Sequence, residues 1–151
     1  MAVDSKTISE LESRIGVEGP PLVYDIERGM IQRFTRAVGD PNPLWQDEDY
    51  ADRSGYGSII APPNFILTLG FDRVLEAFIS DASLTVLHGS TELECYQPVR
   101  PGDVITATAK IVNVRERQGK VGTTIFVTFE IVYKNQRQEV VADCRQMAII
   151  Y

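Results

Sequence analysis

The last 70 residues alternate apolar and polar side chains with a period of two, in four successive stretches. This is the period of a β-strand with one buried face, and it differs from the 3.6-residue period of a helix. Short polar connections over residues 115–120 and 134–138 separate neighbouring stretches, as is typical of antiparallel hairpins. The pattern therefore predicts a meander of long antiparallel strands whose alternating apolar faces span residues 87–95, 105–111, 121–133 and 140–148.

The segment from Pro62 to Ser80 precedes these strands and is apolar around most of its circumference. Its polar side chains lie four residues apart, on one narrow stripe. A helix that is apolar on every other side is a buried one, and prolines suit the first turn of a helix. We expect one long buried helix here, with an exposed stripe formed by Asn64, Thr68, Asp72 and Glu76.

One long helix followed by four or five antiparallel strands predicts an α+β hotdog fold, in which a curled sheet wraps the helix and buries one face on it. A chain of 151 residues has the size of one domain. We therefore expect a single domain over residues 1–151, with a helix and extension over residues 1–20. Such a sheet keeps an exposed edge that a second subunit usually covers, so at least a dimer is expected.

Composition excludes several classes of function. A net charge of −6 disfavours nucleic acid and anionic membrane surfaces as partners, and no apolar run is long enough to span a membrane. The single histidine and two cysteines form no metal-binding pattern, so we expect no metal and no cofactor. Both Cys95 and Cys144 are expected to be reduced core residues. The first 11 residues carry no export signal, which predicts a cytoplasmic protein.

Three segments, in order, resemble the motifs of one enzyme family. Val38–Trp45 reads VGDPNPLW and resembles the hydratase signature G-D-x-N-P-L-H. Gly55–Phe65 reads GYGSIIAPPNF and resembles the loop that enters the hotdog helix, where active members have I-A-H-G. Glu94–Ile111 resembles a run of the form F-x-x-P-V-x-x-G-D-x-L. Over residues 10–151 the chain thus resembles the MaoC-like hydratase/dehydratase family.

The resemblance implies reversible hydration of 2-enoyl thioesters, which gives (3R)-hydroxyacyl products on coenzyme A or on an acyl carrier protein. In active members the signature Asp and His hold the water and move the proton. A backbone N–H at the start of the hotdog helix polarises the thioester carbonyl. The chemistry needs a base within hydrogen-bond reach and a donor aimed at the enolate oxygen.

This sequence departs from the family at both of those groups. Asp40 and Asn42 are present, but the position of the His is Trp45. The residue that matches the donor Gly is Pro63, which has no N–H. The pattern resembles the N-terminal half of two-domain MaoC proteins and the non-catalytic subunit of heterodimeric (3R)-hydroxyacyl-ACP dehydratases of fatty-acid metabolism.

Residues for the site follow from the matched segments. Asp40 is either a remnant catalytic acid or a turn-forming residue, since an Asp before Pro commonly bonds its own backbone. His88 alternates with Ser90 and Glu92, which places it on the solvated face of its strand, and it is a catalytic candidate only if this chain is active alone. The candidate substrate-binding residues are Asn42, Trp45, Tyr56, Ile60, Pro62, Pro63, Asn64 and Phe65.

Three hypotheses of function stay open at this point. The first is an acyl-thioester-binding subunit that pairs with an Asp/His-bearing hotdog partner to form a dehydratase. The second is a self-sufficient hydratase or thioesterase, a homodimer using Asp40 and possibly His88. The third is a homo-oligomeric acyl-CoA-binding protein without a reaction.

Overall fold

The computed structural model describes residues 4–79, 83–120 and 122–151, with only the backbone of Phe71 and Asp72. None of the helices in this part is long and apolar enough to cross a membrane. Short 3-10 helices cover Pro43–Trp45 and Pro63–Thr68. The other elements are α1 (Ser5–Ser13), β1 (Leu22–Asp25), α2 (Arg28–Val38), α3 (Glu48–Arg53), α4 (Phe71–Phe78), β2 (Val86–Cys95), β3 (Val104–Gly119), β4 (Gly122–Lys134) and β5 (Val140–Ile150).

The five strands form one open antiparallel sheet in the order β1-β3-β4-β5-β2. Burial alternates over residues 104–115 of β3, over residues 124–134 of β4 and through most of β5, because successive side chains point to opposite faces. The four predicted antiparallel strands are present, with β1 as a fifth. Only β3, β4 and β5 form a meander, so the predicted meander of all four is wrong: β2 pairs with β5 and not with β3, which follows it in the chain. The buried face carries Ile105, Ala107, Ala109, Ile111, Ile125, Val127, Phe129, Ile131, Tyr133, Ala142, Cys144, Gln146, Ala148 and Ile150.

The expected single helix over residues 62–80 is wrong, because the segment is two helical pieces. The 3-10 helix Pro63–Thr68 and α4 are separated at Gly70, whose φ is +76°. A Cβ atom at Gly70 would lie 1.8 Å from the hydroxyl oxygen of Tyr24, so only glycine fits there. Both pieces still bury their apolar sides on the sheet, at Phe65, Ile66, Leu69, Val74 and Phe78.

The polar stripe of this segment is exposed as predicted, at Asn64, Thr68 and Glu76. The side chain of Asp72, the fourth member of the stripe, lies outside the described residues, as do Ser80 at the end of the segment and Val121 at the start of the third predicted strand. The division into two pieces therefore changes the backbone path but leaves the described side chains on the faces predicted for them.

The edge strand β2 contains a bulge at Gly89. The register shifts between His88 and Ser90, so that His88 is paired with Ala148 and Thr91 with Gln146. His88 therefore shares a face with Thr91, whose Oγ1 lies 3.0 Å from the Nε2 of His88. His88 is exposed, as predicted, but its predicted alignment with Ser90 and Glu92 is wrong, because strict alternation cannot account for the extra residue of a bulge.

The N-terminal segment packs against the outer edge of β3. The N–H of Gly16 donates to the carbonyl of Ile111 (2.8 Å), and that of Gly19 donates to the carbonyl of Ala109 (2.7 Å). Arg14 donates to the carbonyl of Ala77 at 2.9 Å, at the C-terminal end of α4. The segment therefore covers this edge of β3 as far as Ile111, and within the described residues no strand pairs with the outer edge of β2.

Candidate functional site

A cavity of about 260 Å³ opens where β2 ends, next to the two 3-10 helices. Its walls come from five separate parts of the chain: the first 3-10 helix, the loop that enters the second, the second 3-10 helix itself, the end of β2 with the segment that follows it, and the start of β5. The lining residues are Leu44, Trp45, Tyr56, Ile60, Ala61, Pro62, Pro63, Phe65, Ile66, Cys95, Tyr96, Gln97, Pro98, Val99, Val141 and Ala142.

Hydrogen bonds from three successive backbone N–H groups fix the loop that leads into the cavity. The N–H of Ile59 donates to Oε2 of Glu48 at 3.0 Å. The N–H groups of Ile60 and Ala61 donate to the carbonyls of Leu44 (3.2 Å) and Val99 (2.8 Å). With these donors satisfied, the loop presents its side chains and the two prolines to the cavity without an unpaired N–H at residues 59–61.

Trp45 is positioned by a turn that the residues just before it in the chain form. The side chain of Asp40 accepts the N–H of Asn42 at 3.0 Å, and the side chain of Asn42 accepts the N–H of Leu44 at 3.0 Å. Pro43 then starts the 3-10 helix, and Trp45 at its end is 7% exposed. Asp40 and Asn42 therefore act as turn-forming residues in this structure, the role that an Asx residue before proline favours.

The described part of the cavity wall lacks a carboxylate, an imidazole and an amine, and its ionisable groups are the thiol of Cys95 and the phenols of Tyr56 and Tyr96. Of the described residues that line it, none is His, Asp, Glu, Lys or Arg. Trp45 carries an indole N–H, which is only a donor. Pro63 has neither a donor nor an ionisable group. The walls are otherwise aliphatic and aromatic, with polar atoms from Tyr56, Cys95 and Gln97 toward the rim.

The rim of the cavity is shaped by Cys95 and Tyr96. The thiol of Cys95 lies 3.9 Å from the carbonyl oxygen of Pro63, which ties the end of β2 to the second 3-10 helix. Burial raises the pKa of the Cys95 thiol, and the nearby carboxylate of Asp143 raises it further. The hydroxyl of Tyr96 donates to Asp143, and this hydrogen bond raises the pKa of Tyr96. Both side chains are therefore uncharged at pH 7.

The structure brings most of the predicted binding residues together. Asn64 is exposed on the outer side of the second 3-10 helix and does not line the cavity. Asp40 and Asn42 form the turn beneath Trp45. His88 lies seven residues before Cys95 on β2, which is about 23 Å of extended strand. The six candidates that do line the cavity are Trp45, Tyr56, Ile60, Pro62, Pro63 and Phe65.

Sequence reasoning missed the part of the cavity formed by the end of β2 and the start of β5. Cys95 is exposed at the cavity rim, so its prediction as a core residue is wrong, whereas Cys144 is buried as expected. The motif that begins at Glu94 was a signal for the first of these segments. Val141 and Ala142 carried no signal, since strand register alone brings them to the site.

No cluster of three or more His, Cys, Asp or Glu in the described ranges could hold a metal ion. The site has instead the character of an apolar ligand pocket with a few polar atoms near its mouth.

A family model described as the FAS1-like dehydratase domain region matches residues 13–144. The chain belongs to this FAS1-like dehydratase family. It is 34% identical over 114 residues to a UPF0336 protein from Streptomyces avermitilis, and the matched segment covers 72% of this chain and 75% of that protein. It is 27% identical over 133 residues to a probable enoyl-CoA hydratase alpha subunit from Thermomonospora curvata, which covers 77% of this chain and 42% of that protein.

The solved structures confirm the hotdog fold of this FAS1-like dehydratase family member. The truncated HadBC complex from Mycobacterium tuberculosis, a (3R)-hydroxyacyl-ACP dehydratase, superposes with a TM-score of 0.78 at 23% identity. The match covers 90% of this chain and 96% of that chain. The predicted resemblance to MaoC-like dehydratases holds at the level of the fold, since a MaoC-like dehydratase from Rhodospirillum rubrum superposes with a TM-score of 0.73 at 22% identity, over 91% of this chain and 92% of that chain.

Proposed function

We propose that this chain is an acyl-thioester-binding subunit of a (3R)-hydroxyacyl-CoA or -ACP dehydratase, working with a hotdog partner that supplies the Asp/His pair. In this division of labour the present chain binds the substrate, and the partner hydrates or dehydrates it.

The observation that carries the proposal is the chemistry of the cavity wall. The family's base position is Trp45, and its oxyanion donor position is Pro63, and both residues line the cavity. Loss of a general base or of an oxyanion donor each costs on the order of 10²-fold in rate or more. A cavity without either group binds a substrate but gives little stabilisation to an enolate-like transition state.

The walls of the cavity suit an acyl chain. They are formed mainly by buried apolar side chains, and each methylene removed from water contributes about 0.8 kcal/mol to binding. A volume of about 260 Å³ is near the lower limit of ligand pockets. The cavity therefore suits the part of an acyl thioester close to its carbonyl, while a longer chain extends beyond it.

The proposed partner is a second hotdog subunit added at β2. This strand is ten residues long and forms an uncovered edge of the sheet. Unpaired strand edges favour the addition of another strand. The similar HadBC structure is a complex of two different subunits. A stable pair of this kind would bury more than roughly 1,000 Å² in total.

The function is tested by measuring hydration of crotonyl-CoA and of longer trans-2-enoyl-CoA substrates. We expect the chain alone to show little activity. Trp45→His restores a base but rescues little, because Pro63 still withholds the donor. The double variant Trp45→His/Pro63→Gly should recover measurably more than either single variant, since base and donor act on one transition state.

Turnover by the unmodified chain alone at more than about 10 per second, an ordinary enzyme rate, would contradict the proposal. It would favour the self-sufficient hydratase or thioesterase, with Asp40 and His88 as its candidate groups. His88→Ala is the matched variant for that outcome, because it removes the chain's single imidazole. Binding of acyl-CoA without activity, even in the presence of an Asp/His-bearing partner, would favour the pure binding protein.

A further inference from the structure

A backbone oxygen holds the guanidinium of Arg100 at the edge of the cavity. Its Nη2 donates to the carbonyl of Tyr56 at 3.1 Å, and Tyr56 lines the cavity with an exposed side chain. The residue before Arg100 is Val99, which is buried in the cavity wall and whose carbonyl accepts the N–H of Ala61. Arg100 itself is half-buried and is not part of the wall. The cation is therefore fixed beside the cavity and does not fill it.

Within the described residues, the guanidinium of Arg100 has no carboxylate partner. Three other arginines each form an ion pair with a glutamate, but Arg100 forms none. The carboxylate of Asp103 lies nearby, where it accepts the backbone N–H of Arg100 and the side-chain amide of Gln136. Arginine carries several N–H donors in a planar fork, and the bond to Tyr56 uses one of them. The remaining donors match the oxygens of a phosphate.

An acyl thioester in the cavity brings a phosphate toward this cation. The cavity suits the acyl group close to its carbonyl, so the rest of the ligand leaves through the rim. In coenzyme A and in acyl carrier proteins alike, the thioester sulfur continues into a flexible 4′-phosphopantetheine arm that ends in a phosphate. Tyr56 and Tyr96 are exposed at the rim and offer the arm both an apolar ring and a polar hydroxyl. A cation held just outside this rim complements the anion of the arm.

We infer that Arg100 binds the phosphate of the 4′-phosphopantetheine arm of a thioester whose acyl group occupies the cavity. The inference rests on the proposed function, which makes an acyl thioester the ligand. The phosphate is common to two sources, coenzyme A and an acyl carrier protein. The carbonyl of Tyr56 holds the guanidinium in place before the ligand arrives, so binding orders little that is not already ordered. Arg100 thus distinguishes a phosphorylated carrier from a simple thioester and takes no part in proton transfer.

The test compares thioesters that share an acyl group and differ in their phosphate. Decanoyl-pantetheine carries no phosphate and decanoyl-4′-phosphopantetheine carries one, and calorimetry with the whole chain measures the affinity for each. We expect the phosphorylated ligand to bind about tenfold more tightly, as one charge-assisted hydrogen bond allows. Arg100→Gln should bind the two ligands with equal affinity.

The matched control is Arg117→Gln, which removes the same charge at the far end of the sheet. Arg117 is paired with Thr124, nine residues of β4 away from Tyr133, and the partner of Tyr133 is Ala142 of the cavity wall. This separation is about 30 Å of extended strand. Arg117→Gln should therefore keep the preference for the phosphorylated ligand.

Chemical modification tests the same site in the unmodified chain, and it decides the question if Arg100→Gln does not fold. Phenylglyoxal reacts with accessible guanidinium groups, and mass spectrometry of the peptides gives a rate for each arginine. Decanoyl-4′-phosphopantetheine should slow the reaction at Arg100 and leave the rate at Arg117 unchanged. Decanoyl-pantetheine should protect Arg100 much less.

The outcomes distinguish the inference from the proposed function. Equal affinity of the unmodified chain for the two ligands, a preference that survives in Arg100→Gln or is also lost in Arg117→Gln, or equal protection of Arg100 by both ligands would overturn the role of Arg100 while acyl binding stands. No binding of either ligand would overturn the proposed function itself. Decanoyl-CoA and decanoyl-ACP identify the source of the phosphate, since the natural carrier should lose more affinity in Arg100→Gln, and equal losses mean that both carriers serve.

Discussion

At the scale of single residues, the two cysteines show how position decides reactivity. They lie on the same face of neighbouring strands, since Cys144 is paired with Leu93, two residues before Cys95. Cys144 is 1% exposed, and burial raises its pKa to about 11. Cys95 is exposed at the rim of the cavity, and burial of its sulfur raises its pKa less strongly. Both are thiols at pH 7, but only one is accessible to a reagent.

We expect iodoacetamide at pH 8.5 to modify Cys95 and to leave Cys144 unmodified until the chain unfolds. The rate at Cys95 should rise with pH, because the thiolate is the nucleophile. Decanoyl-CoA at ten times its dissociation constant should slow the reaction roughly tenfold, if it occupies the cavity. Mass spectrometry of the labelled peptides measures both rates.

The control for this experiment is Cys95→Ser, which should show no labelling before urea unfolds the protein. Modification of Cys144 ahead of Cys95 would contradict the burial of Cys144. An unchanged rate at Cys95 in saturating decanoyl-CoA would contradict binding at this cavity.

The predicted site residues that line the cavity are those whose motif neighbours are also their neighbours in space. Trp45 and Pro63 each lie within a short motif, and local turns bring them to the cavity. Val141 and Ala142 reach it through the pairing of β5 with β2, which no local pattern encodes. The alignment of His88 with Ser90 and Glu92 was predicted wrongly because one inserted residue, Gly89, reverses the alternation after it.

At the scale of elements, the break at Gly70 is the main difference between the predicted and the observed fold. Hydrophobic periodicity reports which side chains are buried, and Leu69 and Val74 are buried on either side of the break. It does not report a change of backbone direction that keeps the apolar side chains on the core. A residue distant in sequence lies at the break, since the hydroxyl of Tyr24 occupies the space where a side chain at residue 70 would begin. The strands, by contrast, were predictable because their alternation is long and uninterrupted.

Gly70→Ala should destabilise the protein more than Gly39→Ala. Both glycines have positive φ, +76° and +69°, so an alanine at either position costs roughly 1–2 kcal/mol of backbone strain. Nothing lies within 4 Å of a Cβ at Gly39, whereas Tyr24 lies at 1.8 Å from one at Gly70. We expect an additional cost of about 1–3 kcal/mol at Gly70 from overpacking.

Urea unfolding monitored by circular dichroism measures both changes in the free energy of unfolding. Equal losses for the two variants would show that the structure accommodates a methyl group beside Tyr24, and would contradict the close contact.

At the scale of the whole molecule, the two edges of the sheet are unlike each other. On the β1 side the edge strand has four residues, and the segment through Gly16 and Gly19 covers β3 only as far as Ile111, so the end of β3 has no neighbouring strand on that side among the described residues. On the β2 side no strand is paired with the outer edge in the part of the chain that the structure describes, and Leu87 is 47% exposed. The bulge at Gly89 and the acidic Glu92 and Glu94 are features by which edge strands resist unspecific pairing.

Leu87→Lys should weaken association with a hotdog partner at least tenfold, because it places a charge in the proposed interface. Leu87 is exposed in the single subunit, so the substitution should not disturb the subunit's own core. The matched control is Val23→Lys on β1, at a side chain that is 60% exposed on the opposite edge. It should leave association unchanged. Sedimentation velocity of the mixed subunits measures both. Equal weakening by the two substitutions, or none by Leu87→Lys, would contradict pairing through β2.

The unlike edges also bear on how many subunits the proposed edge-to-edge assembly would hold. A building block with two equally open edges is bifunctional, and such blocks add one after another into fibres of no defined length. On the β3 side a second molecule would meet an interrupted edge, because a four-residue strand and residues 15–19 occupy it as far as Ile111. In the proposed pairing, addition through β2 uses up the long edge of both molecules at once. The expected product of that pairing is a closed pair of subunits, and a fibre is disfavoured.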